Sequence, residues 1–61
     1  MSNMLTTKEV VLLGDLLSVE EAAARKARLY SNAITDPELS NRFSEIAKEH
    51  EGRFCSLFSL L

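Results

Sequence analysis

The sequence predicts an all-α chain, an antiparallel hairpin of two long helices, and three observations carry that reading. Apolar residues recur at helical spacing through most of the chain. Asp36-Pro37-Glu38 is the one clear punctuation mark, and Pro37 is the only proline. Plotted at 100° per residue, the stretches on either side of that break each give one apolar arc with a polar side opposite.

The first helix is expected from about residue 7 to about 35. Thr6-Thr7-Lys8-Glu9 opens it with a capping-box pattern, in which the Thr6 hydroxyl meets the Glu9 amide and the Glu9 carboxylate reaches back. Residues before the cap are expected to fray. Strong helix formers fill Glu20 to Arg28, and Glu21 and Arg25 make a favourably oriented i,i+4 pair on the outer side. The apolar arc holds Leu13, Leu16, Ala23, Ala24, Ala27 and Ile34. Roughly 28 residues at 1.5 Å each give about 42 Å.

The turn falls at 35–37 and the second helix at about 37–60. Asp36 suits the N-cap, Pro37 the first helical position, and Glu38 a site where the helix dipole favours negative charge. Proline also drives Asp36 out of helical geometry, which ends the first helix. Leu39, Phe43, Ile46, Ala47, Phe54, Leu57 and Leu61 form the second arc, with Ser40, Asn41, Glu45, Lys48, Gly52, Ser56 and Ser59 outside it.

A connection this short makes the helices antiparallel neighbours. Opposed positions then have numbers adding to about seventy: Leu13 meets Leu57, Leu16 meets Phe54, Ala23 meets Ala47, Ala27 meets Phe43 and Ser31 meets Leu39. That register also sets Glu20 against His50, each lying within the apolar arc of its own helix.

Sixty-one residues allow a single domain, here 1–61, with a modest core. One cysteine excludes an internal disulfide, and no Cys/His spacing suits a zinc finger. With hydrophobic content at 46%, association is the expected aid to stability. Two helices cannot cover arcs this wide, so a two-fold dimer forming a four-helix bundle is expected. Leu13, Leu16, Phe43, Phe54, Leu57, Phe58 and Leu61 are its candidate interface residues. Val10, Val11, Leu12 and Leu13 on the first helix, and Leu57, Phe58, Leu60 and Leu61 on the second, are apolar in nearly every direction, so a partner or a higher oligomer is expected to cover that open end. Net charge is −2 with the two signs interspersed, which argues against binding nucleic acid. No apolar run is long enough to span a bilayer, and Met1 to Met4 lacks the features of a signal peptide. An intracellular, soluble chain is expected.

Glu20 and His50 are the polar residues that packing alone does not explain. One reading is a metal site, Fe or Zn at low occupancy, in which two Glu20 and two His50 converge across the dimer. The other is a hydrogen-bonded pair that fixes register and partner choice, with no cofactor. Arg53 is expected to pair with Glu49 or Glu20. Cys55 has no evident activating base and reads as a passive thiol. Tyr30 reads as a boundary aromatic with its hydroxyl in water. Arg25, Lys26 and Arg28 point in three directions and read as a solvated face. Gly14 and Gly52 fall on outer faces. No serine or threonine has a base and orienter, and there is no glycine-rich phosphate loop.

The run Glu20, Ala23, Tyr30 and Phe43-Ser44-Glu45-Ile46-Ala47-Lys48-Glu49-His50 resembles the first two helices of ferritin-like and rubrerythrin-like proteins. Leu12-Leu13-Gly14-Asp15-Leu16-Leu17 and Asp36 to Leu39 resemble the spore coat protein family of the Coat F type, over about residues 8 to 61. The resemblance implies a ferritin-like bundle and a sporulation setting. It also implies a metal ligand at Glu20. Where di-metal members carry Glu-x-x-His, however, this chain has His50-Glu51-Gly52-Arg53, so only Glu20 matches as a ligand and the resemblance weakens oxidase chemistry. The leading expectation is therefore a non-enzymatic structural or assembly protein acting by self-association as a homodimer or higher homo-oligomer. A degenerate di-iron carboxylate protein is the first alternative, and a module docking a larger partner through the open end is the second.

Overall fold

The computed structural model describes residues 4–61, and the fraying expected of residues 1–3 lies outside them. Helix α1 spans Thr7–Ala33 and α2 spans Pro37–Phe58, with no strand among the described residues. They pack side by side as a hairpin with extents of 46 × 17 × 10 Å. At 1.5 Å per residue, the 27 residues of α1 account for about 40 Å of the long dimension.

The capping box forms as the sequence predicts. Glu9 N–H donates to Thr6 Oγ1 at 3.1 Å, and Thr6 N–H donates to Glu9 Oε1 at 2.9 Å. At the second helix, Asp36 Oδ1 accepts from the backbone N–H of Glu38 and Leu39 at 2.9 and 3.1 Å, with Pro37 in the first turn. Two of the donors that every helix start leaves unpaired are thereby satisfied.

Both helices end slightly early. α1 stops at Ala33 rather than near 35, because Ile34 is already extended at φ −82°, ψ 129°. The proline keeps Asp36 extended too, so the chain needs residues 34–36 to reverse direction. α2 stops at Phe58 rather than near 60, where Leu60 and Leu61 N–H bond to Leu57 and Phe58 O. Such i to i−3 bonds tighten a final turn instead of extending the α-helix.

The core is a narrow seam of small residues. Only Leu13, Ala24, Ala27 and Ala47 are buried among the described residues, and Ala47 alone is completely covered. Near the connection, Ser31 and Ser40 clasp one another: Ser31 Oγ donates to Ser40 O at 3.0 Å, and Ser40 Oγ to Ser31 O at 2.7 Å. This corrects two expectations, that Ser31 meets Leu39 and that Ser40 lies outside. Small hydroxyl side chains let the backbones approach closely enough for each to reach the other's carbonyl. Leu39 is 47% exposed.

Candidate functional site

The register predicted from the sequence brings Glu20 and His50 together. His50 Nδ1 lies 2.6 Å from Glu20 Oε1, and the two side chains are only 24% and 16% exposed. A carboxylate carries no proton, so Nδ1 carries it and donates. Arg53, one turn further along α2, donates through Nε to the other carboxylate oxygen at 3.2 Å. Of the two carboxylates offered by the sequence, Arg53 therefore pairs with Glu20. Arg53 Nη2 also lies 3.0 Å from His50 Nδ1. With the one in-plane position of Nδ1 committed to Glu20, that approach is a contact rather than a second hydrogen bond.

These partners set the charge state of the acid. The hydrogen bond from His50 is the main cause holding the Glu20 carboxyl below its ordinary value of 4.5. Desolvation opposes that shift, and the bond from Arg53 and the two positive fields add to it. Glu20 is thus an anion at neutral pH, clasped on both oxygens.

Within one chain, Glu20 and His50 bond to each other, and Arg53 holds the second carboxylate oxygen. The donors are turned on each other: the Nδ1 position that would face a cation holds a proton, and both Glu20 oxygens are engaged. Arg53 adds a fixed positive charge beside them. Among the described residues, no three His, Cys, Asp or Glu side chains cluster as a metal site would need.

The two sides of the hairpin differ. Glu20, His50 and Arg53 lie on the flank where Tyr30 meets Phe43 edge-on, with ring centroids 5.5 Å apart. On the opposite flank, Arg28 donates to Ser44 Oγ at 3.1 Å and pairs with Glu51 at 3.2 Å. This corrects the reading of Arg28 as part of a solvated basic face, since its side chain is 37% exposed and bridges the helices. Arg28 stands at the edge of the α1 arc, where a long stem can cross the seam. That edge position was the available signal. Arg25 does remain solvated, pairing with Glu21 at 3.0 Å.

Cys55 is exposed on the Arg28 flank, in a shallow groove lined also by Glu21, Ala24, Glu51 and Phe54. It is thus on the far side of the seam from His50. Gly14 and Gly52 are exposed with nothing within 4 Å of a Cβ built on either. Of the candidate interface residues, Leu13 is buried within the chain, and Phe43, Phe54 and Leu57 are half-buried. Leu16, Phe58 and Leu61 are 49%, 58% and 56% exposed. Among the described residues, no helix is long and apolar enough to cross a membrane.

No protein-family model, curated protein or solved structure matches this chain.

Proposed function

We propose that this chain is a non-enzymatic structural or assembly protein that works by self-association, pairing as a two-fold dimer into a four-helix bundle. One observation carries the reading. Among the described residues, three of the four buried ones are alanines, while twelve large apolar side chains are at least 44% exposed. A hairpin closed by an alanine seam gains little from burial, because the hydrophobic contribution scales with the apolar area removed from water. Exposed leucines and valines at this density are what a helical subunit presents to its mate.

Within this reading, Glu20, His50 and Arg53 fix which residues of α1 and α2 stand opposite one another, because a slip by one turn would separate the acid from both partners. The spore-coat setting rests on the sequence resemblance alone.

Light scattering with sedimentation equilibrium at micromolar concentration tests the proposal. A dimer or larger mass is expected, and a monomer there overturns it. Elemental analysis of protein purified without chelator addresses the metal alternative across the dimer: one or more Fe or Zn per dimer would replace the structural role given to Glu20 and His50.

The open end gives the docking alternative a specific observation, since Val11, Phe58 and Leu61 are each more than half exposed there. Phe58→Ser or Leu60→Ser with unchanged oligomer mass and solubility would end it.

A further inference from the structure

An exposed apolar stripe on α1 and a partly buried one on α2 run side by side on one flank of the hairpin. On α1, Leu12, Leu16, Val19, Ala23 and Tyr30 fall within about 60° of one another at helical spacing. Leu12, Leu16, Val19 and Tyr30 are 51%, 49%, 62% and 48% exposed. On α2, Leu39, Ile46 and Leu57 form the matching stripe. The contacts between Tyr30 and Phe43 and between Glu20 and Arg53 put both stripes on the same flank.

We infer that this flank is the surface on which a second copy of the chain docks, with the Glu20, His50 and Arg53 cluster at its middle. The inference rests on the self-association reading and names its face.

Area and charge both point to a second copy. The chain exposes 4711 Å². A folded monomer of its mass is expected to expose about 3,950 Å², so the excess is about 750 Å². That is close to the roughly 800 Å² that each partner buries in a standard interface.

The rim charges are self-complementary. Asp15 and Lys26 border the α1 stripe on its outer side, on either side of the level of Glu20, and neither has an ion pair among the described residues. A two-fold axis running across the helices at that level sets Asp15 of each copy against Lys26 of the other. The same axis, passing near His50, lays Leu39 over Leu61 and Phe43 over Leu57. Apolar residues thus meet apolar ones and opposite charges meet at the edge, as an isologous contact requires.

The test compares faces. Leu16→Glu and Val19→Glu place a charge in the proposed interface, and the dimer dissociation constant should rise about a hundredfold or more. Leu29→Glu, at a position 62% exposed on the side of α1 away from the stripe, should leave the mass unchanged. Because a separated hairpin can itself unfold, shielding of a thiol gives an independent readout. In a Cys55→Ser background, Val19→Cys should be alkylated several-fold more slowly than Leu29→Cys at concentrations where the protein is assembled. A wild-type chain that is monomeric ends the self-association reading and this inference with it. A wild-type dimer in which Leu16→Glu and Val19→Glu keep the mass, or in which both thiols react alike, overturns this face and leaves self-association standing.

Discussion

The two flanks of the hairpin solve the same problem with different chemistry. On one, Glu20, His50 and Arg53 bridge the helices inside an apolar surface, with two of the three side chains less than a quarter exposed. On the other, Arg28, Ser44 and Glu51 bridge them in the open, at 37% and 52% exposure for the charged pair. Salt and water weaken the second bridge, whereas the first works in a setting where a lost partner is felt. The difference teaches that an ion pair's position along a hairpin says less than what surrounds it. The flank whose bridge lies beside Leu16 and Val19 is the one proposed to receive a second copy.

The sharpest blow falls on the seam shared by both flanks. Ala47→Leu adds volume where nothing is exposed, so it should cost about 1–3 kcal/mol in urea unfolding and weaken both bridges together. If its stability matched wild type, the seam would not set the helix spacing.

Next in size, Glu20→Gln should destabilise the chain at neutral pH more than Glu51→Gln does. The sign with pH follows from the lowered Glu20 pKa. Its contribution is fully present above 4.5 and is lost as pH falls through the lower folded-state value. Glu20→Gln should therefore shrink the gap in melting temperature between neutral and acid solution. Equal pH profiles for Glu20→Gln and wild type would remove the distinction between the flanks.

A gain of about 1 kcal/mol is expected from Gly52→Ala or Gly14→Ala, since each glycine lies in an exposed helix interior with open space where the methyl would go. If either substitution instead lowered oligomer mass, another helix would have to approach that glycine, and the self-docking surface would lie elsewhere. Smallest of all, Arg28→Gln should cost under about 1 kcal/mol, and half-molar salt should erase most of that difference in thermal melts.

Much of the fold could be read in the residues themselves. Thr6 with Glu9 and Asp36 with Pro37 act locally, so their caps follow from a few neighbouring positions. The pairing of Glu20 with His50 followed from counting outward from a short connection. Three features were harder to see, each for a physical reason. Arg28 reaches across the seam because of its stem length, which a helical wheel does not represent. Ser31 and Ser40 meet through main-chain carbonyls, which no side-chain pattern records. The ends at Ala33 and Phe58 depend on how many residues a reversal and a terminal turn consume.

The serine clasp beside the three-residue connection also sets an order of events. Contacts near the turn close the shortest loops and are the least costly to form first, so folding should start there and zip toward the termini. Amide protons around Ser31 and Ser40 should then be the last to exchange with deuterium, and those around Val10 and Leu57 among the first. Such a molecule would reach a partner with its turn end already set and its other end still closing.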